Sequence, residues 1–194
     1  IDGLDGLAAG FTVITMCAYT FWFCSVGAQP EALLSLVTGG TMLAFLVFNF
    51  APARIFMGDC GSLSIGLIGY VLATSVMSTP TEKIPESLVH VSKEVLVMGI
   101  LAYPLVDTLR VFALRTAKGI SPFHPDRNHL HHRLMMRYGT HRKSVFVVYG
   151  YSIFMILLSF STPFFRGFLP IEILFGGLMI IAFGAFYPTL RRTK

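Results

Sequence analysis

The chain is a succession of long apolar runs separated by short polar connections. Six runs stand out, near residues 6 to 26, 31 to 50, 62 to 79, 94 to 114, 145 to 165 and 170 to 189. Each comes close to the roughly 20 apolar residues that a helix needs to cross about 30 Å of hydrocarbon. Only helices and closed barrels satisfy their own backbone hydrogen bonds in lipid. A barrel strand would alternate apolar and polar positions, whereas runs such as VFVVYGYSIFMILLSF are continuous. The pattern therefore predicts an all-α, polytopic integral membrane protein with about six transmembrane helices, residues 1–194 forming one transmembrane domain.

Composition agrees with that reading: 54% of residues are hydrophobic, 13% are charged, and the mean hydropathy is +0.69, well to the apolar side of a soluble domain. The three cysteines are an odd number without metal-type pair spacing. Cys17 and Cys24 on one helix would stand roughly 10 Å apart, too far for a disulfide.

Charge adds an orientation. Short loops rich in Lys and Arg stay on the cytoplasmic side, and residues 116–144 carry Lys118, Arg127, Arg133, Arg137, Arg142 and Lys143. Counting across six spans then puts the amino end, the connection 51–61 and the terminal RRTK on the same side. Asp2, Asp5, Asp59, Asp107 and Asp126 collect there, while Glu31, Glu82, Glu86, Glu94 and Glu172 fall on the other side, where a solvated rim accounts for them. The net charge of +5 reflects this topology and an attraction to anionic lipids and phosphates. No nucleic-acid partner is needed to explain it.

Three segments on the expected cytoplasmic side carry residue types that do chemistry. In IDGLDGLAAG, Asp2 and Asp5 stand at i,i+3 spacing, which puts both carboxylates on one face of a first helical turn; acidic residues also favour a helix amino terminus for its dipole alone. In FMGDCGSLSIG, Asp59 reads as part of a short turn feeding the next span, with Ser62 as its cap. Such a carboxylate suits Mg²⁺, which keeps several waters and binds through one or two carboxylates plus substrate phosphates; it is equally an ordinary turn aspartate between glycines. In SPFHPDRNHLHHRL, a short helix is expected with Asp126 as cap, Leu130, Leu134 and Tyr138 on one stripe, and Gly139 as stop. His129, His131 and His132 beside Arg127 and Arg133 suit phosphate contacts, proton transfer or a transition metal. Zinc lacks thiolate partners at suitable spacing, and there is no HExxH pair. A basic loop that merely enforces orientation is the plain alternative.

Asp107 lies inside an apolar run, in YPLVDTLRVFALR. A charge there costs about 2.5–3.5 kcal/mol on insertion scales, so it either pairs with Arg110 or works beside the site. His90 and His141 read as solvated loop histidines. A transporter or channel, with Asp107 on an ion path and the histidines as a metal sensor, is the alternative function. It would place charges deep in several spans, and only Asp107 is so placed.

Together these segments resemble the polyprenyl-phosphate N-acetylhexosamine-1-phosphate transferases, the superfamily of the MraY and WecA enzymes, and most of all its WecA and teichoic-acid-initiating branch. DGLDGL is similar to the later part of the family's Asn-containing motif, FMGDCGS to its Mg²⁺-binding turn, and SPFHPDRNHLHHRL to a cytoplasmic loop carrying His-x-His-His. Asp107 and Arg115 fall where this branch carries Pro-x-x-Asp followed by arginine.

The resemblance implies transfer of a sugar 1-phosphate, N-acetylglucosamine 1-phosphate foremost, from a UDP-sugar to undecaprenyl phosphate in the bacterial inner membrane. UMP is released and a lipid-linked cell-envelope glycan is begun. It implies Mg²⁺, with Mn²⁺ as substitute, on Asp59; Asp2 and Asp5 as catalytic residues that position substrate, a general-base role staying open; and Arg127, His129, His131 and His132 on phosphate or sugar. It implies homodimers as well. Finally, it implies that these residues are the carboxyl-terminal part of a longer protein of ten or eleven spans, with the family's asparagines and Asp-Asp pair upstream.

Overall fold

The computed structural model describes residues 3–117, 119, 121, 129–166 and 170–184, with backbone alone for residues 132, 165, 166, 171, 172, 174 and 175. Among them the regular structure is helical: α1 (Leu7–Ser25), α2 (Gln29–Asn49), α3 (Gly58–Ser78), α4 (Lys93–Ile100), α5 (Ala102–Ala117), α6 (Leu130–Tyr138), α7 (His141–Phe160), α8 (Thr162–Arg166) and α9 (Ile171–Gly184), with one 3-10 turn at Thr81–Lys83. The helices α1, α2, α3 and α7 are each long and apolar enough to cross a membrane. The chain is an all-α, multi-pass membrane protein, as its apolar runs predict.

The expected span 94 to 114 is not one straight helix. It is the pair α4 and α5, bent by 73° at Leu101. Pro104 supplies the reason: it has no N–H to give to the carbonyl four residues back, and its ring clashes with that carbonyl, which belongs to Ile100, the last residue of α4. The expected span 170 to 189 is α9 as far as Gly184, and residues 185–189 lie outside the described residues.

Helix α1 is the centre of the packing. Leu7, Phe11, Met16, Tyr19, Trp22 and Phe23 are all buried. A tight turn at Gly27, with φ of 72°, sends α2 back along it, and the hydroxyls of Thr20 and Ser35 meet at 2.9 Å between the two. Of α2, only Ser35, Thr38 and Asn49 are buried, whereas Leu33, Leu36, Val47 and Phe48 point outward. Outward leucines cost nothing in a solvent as apolar as they are.

The interior has two clusters. One gathers Tyr19, Trp22, Leu72, Val76, Leu96 and Ile100. The other gathers Leu4, Leu7, Tyr103, Val106, Leu130, Leu134, Val145 and Val148, from four separate parts of the chain. This second cluster includes Leu4 and Leu7 of the first polar segment and Leu130 and Leu134 of the third. At the opposite end of α3, Lys93 donates to the carbonyls of Met77 and Thr79 at 3.2 and 2.9 Å, a cation placed where a helix carboxyl terminus is electronegative.

Candidate functional site

The DGLDGL segment is anchored by its leucines. Leu4 and Leu7 are buried, and between them Gly6 takes a left-handed conformation, φ 80°, immediately before α1. That left-handed residue, open to glycine at no steric cost, stops the helix from extending backward. Asp5 therefore precedes α1, correcting the expectation that Asp2 and Asp5 share a first helical turn; Asp2 lies outside the described residues.

Gly6 is also a junction. Its N–H donates to Asn49 Oδ1 at 3.0 Å, and its carbonyl accepts the Tyr149 hydroxyl at 2.5 Å. Gly10, one turn on, leaves room for the same tyrosine, since a Cβ there would coincide with its hydroxyl. The side chain of Asp5 reaches across to the next segment: Oδ2 accepts the Ala53 N–H at 3.1 Å, and Oδ1 stands 3.8 Å from Nδ1 of His141. His141 thus belongs to the site end of the bundle, not to a solvated loop. Arg142 beside it donates twice to the Ala51 carbonyl, at 2.9 and 2.8 Å, and Asn49 Nδ2 donates to Ile55 at 2.8 Å. The connection between α2 and α3 is consequently held from both sides.

Asp59 stands on the first turn of α3, which begins at Gly58, so the expected loop 51–61 is shorter than the sequence suggested. Ser62 is not its cap: the Ser62 hydroxyl donates to the backbone carbonyl of Asp59 at 3.2 Å. The positive φ of Gly58, 68°, lets the helix start one turn earlier than a serine cap would place it. Asp59 is exposed, and its carboxylate has no partner among the described residues. A hard, solvent-facing oxygen pair of this kind fits Mg²⁺. No group of three His, Cys, Asp or Glu that could hold a metal occurs among the described residues, which is what a zinc centre would need.

The histidine segment approaches from a third direction. Helix α6 runs from Leu130 to Tyr138 and stops at Gly139, φ 68°, as expected; Leu130 and Leu134 are buried. Its start differs from expectation. His129 occupies the position before the first helical residue without capping it, and Asp126, the expected cap, lies outside the described residues. The first amide, Leu130 N–H, donates instead to Asp107 Oδ1 at 2.6 Å, while Asp107 Oδ2 lies 3.0 Å from His129 Nδ1. The buried carboxylate of α5 is therefore engaged by the histidine segment.

The rings of His129 and His131 stack, 5.5 Å apart and 10° from parallel. His131 is buried, and glycine at position 3 leaves room for it: a Cβ on Gly3 would clash with the Nε2 edge of the His131 ring, which would have to move. The first and third segments are thus in contact. His132 lies on α6 with its side chain outside description, and Arg127 lies outside the described residues.

Between α1, α3 and α5 lies a cleft of about 430 Å³. Its walls are apolar, including Phe11, Met16, Ile65 and Leu105. Met57 and Ser62, next to Asp59, and Thr108, next to Asp107, stand at one end of it; Tyr19 and Tyr70 stand farther along the same helices.

Residues 1–77 match the model of glycosyl transferase family 4. The chain is 33% identical, over 99% of its length, to the decaprenyl-phosphate N-acetylglucosaminephosphotransferase of Mycobacterium tuberculosis, of which it covers 50%. It is 36% identical over 85% of its length to the enzyme of the same name in Mycolicibacterium smegmatis, covering 43% of it. With the undecaprenyl-phosphate alpha-N-acetylglucosaminyl 1-phosphate transferase of Escherichia coli K12 it shares 31% identity over 76% of its length and 39% of that enzyme. The chain is thus similar to glycosyl transferase family 4 over its first 77 residues and to these transferases over most of its length. It spans about half the length, or less, of these curated relatives, and no solved structure matches it. Nothing in these relatives supports the transporter alternative.

Sequence reasoning overlooked the part that Asn49, His141, Arg142 and Tyr149 play in holding the polar segments together. A lone amide ending an apolar run, and a histidine opening one, were the available signals.

Proposed function

We propose that the full-length protein transfers an N-acetylhexosamine 1-phosphate, N-acetylglucosamine 1-phosphate first among them, from a UDP-sugar to a polyprenyl phosphate. The observation that carries this reading is the contact between the DGLDGL segment and the histidine segment, Gly3 against His131, in a chain whose relatives bear the names of such transferases. A phosphate oxygen of the lipid attacks the sugar-bearing phosphorus of the UDP-sugar. The bond from that phosphorus to the bridging oxygen breaks, and UMP leaves with the electron pair. The lipid then carries a pyrophosphate-linked sugar.

Both reactants are anions, so the work of the site is to hold them in line and to offset charge. His129, with 39% of its side chain exposed, presents a ring nitrogen suited to phosphate or sugar oxygens; His131, buried between that ring and Gly3, backs it, and His132 and Arg127 follow in the same segment. Asp59 would hold Mg²⁺, which shields the charge developing on the diphosphate. Asp5, tied to Ala53 and His141, holds the first segment against the α2–α3 connection; Asp2 keeps the role of a substrate-positioning residue. The apolar cleft, with Ser62 and Thr108 at one end, suits an isoprenoid chain whose phosphate stays at the interface. The basic residues of 116–144 support a site on the cytoplasmic face of the inner membrane.

The test is UMP release by membranes carrying the full-length protein, given undecaprenyl phosphate, Mg²⁺ and UDP-N-acetylglucosamine. Release that requires the lipid, and that stops with Asp59→Asn, is the expected result. Folded protein that releases no UMP from any UDP-sugar would overturn the reading.

A further inference from the structure

We infer that Asp107 is a positioning residue that fixes the ring of His129, so that Nδ1–H points into the protein and Nε2 is the nitrogen offered to substrate. The inference rests on the transferase reading above for what His129 touches, but not for its ring state.

Asp107 is 5% exposed, and a carboxylate that deep persists only when its oxygens are engaged. Both are. Oδ1 accepts Leu130 N–H at 2.6 Å and Oδ2 faces His129 Nδ1 at 3.0 Å. An ionised carboxylate only accepts, so Nδ1 must be the donor. The carboxylate also meets the first turn of α6, where a negative charge is favoured. One side chain of α5 thereby sets where α6 starts and how the residue before it is turned. The ring is further restrained by its stack on His131, which is itself lodged over Gly3. His129 keeps 39% of its side chain exposed, so it is oriented from behind and open in front. Carboxylates behind histidines fix tautomer and direction in the same way at metal centres and in hydrolase triads.

The chemistry of asparagine makes this testable. In Asp107→Asn the side-chain oxygen still accepts Leu130 N–H, so α6 keeps its anchor. The amide nitrogen then faces His129 Nδ1, which must accept, and the neutral ring carries its proton on Nε2 instead.

The experiment uses the full-length protein with ¹⁵N-labelled histidine in native-like membranes, the His129 signals being assigned by their loss in His129→Gln. Spectra are taken at a pH above the ordinary range of histidine, so that the ring is neutral, and UMP release is assayed alongside. The expected result is a protonated Nδ1 in the wild type and the reverse in Asp107→Asn. At equal amounts of folded protein, kcat/KM falls about ten- to a hundredfold, as for other orienting partners. That loss shrinks to below about twofold when Asp107→Asn is made in a His129→Ala background, because the two residues act as one unit. A wild-type ring protonated at Nε2, an unchanged ring in Asp107→Asn, or a loss of the same size without His129 would each overturn the inference. Absence of UMP release from the wild type would sink the transferase reading instead, while the spectra still decide the ring.

Discussion

Asp59 and Asp107 are the same residue in opposite settings. Asp59 stands exposed on the first turn of α3 with its carboxylate unpartnered among the described residues. Asp107 is buried, with both oxygens committed to α6 and the residue before it. A carboxylate offered to solvent can take a ligand at little cost, whereas a carboxylate already satisfied by amide and imidazole can only orient its partners. Asp5 lies between the two, half-buried, with one oxygen on the Ala53 amide and the other toward His141. Exposure and prior engagement, rather than residue type, separate a carboxylate open to a ligand from one that holds its neighbours.

Substitutions can break or sharpen that contrast. The largest effect is expected for Asp59→Asn: a loss of UMP release of about a hundredfold or more, the size seen when one electrostatic stabiliser of a transition state is removed, with the amount and melting temperature of the protein unchanged. A marked drop in melting temperature would erase the distinction. Next come Gly3→Ala and Gly10→Ala, whose added methyl groups meet His131 and Tyr149; overpacking of this sort destabilises by about 1–3 kcal/mol, read as a lower melting temperature in detergent. Asp5→Ala should cost about 1 kcal/mol for the lost hydrogen bond to Ala53 and lower activity less than Asp59→Asn does. The smallest change is expected for Arg142→Ala: its side chain is exposed, so losing the contacts to Ala51 should lower stability by less than about 1 kcal/mol.

Much of the fold was legible because lipid imposes a simple rule on the chain. A run of about 20 apolar residues becomes a helix whatever its details, so α1, α2, α3 and α7 fall where the runs are. The break at Leu101 was legible too, from Pro104, but hydropathy averages over a proline and reads 94 to 114 as a single run. The three polar segments could be recognised from residue type and spacing, and the Gly139 stop from glycine alone. Their joints could not. That Asp107 would choose His129 and Leu130 over Arg110 depends on the bend that carries α5 toward α6, a three-dimensional fact without a local pattern. The same holds for His141, which looks solvated in a loop and is drawn to Asp5 only because α7 starts beside α1. Aspartate as a helix cap is sought within a few residues of its helix; here the cap comes from another helix.

The lodging of His131 over Gly3 ties together two positions that are 128 residues apart in the chain. Neither can change freely: a lineage that acquires a side chain at position 3 must first shrink or move the ring at position 131. Across family 4 chains aligned in numbers, these two columns should vary together, the bulk of one falling as the bulk of the other rises. Chimaeras that take the DGLDGL segment from one relative and the histidine segment from another should then assemble only where the pair has been inherited as a pair.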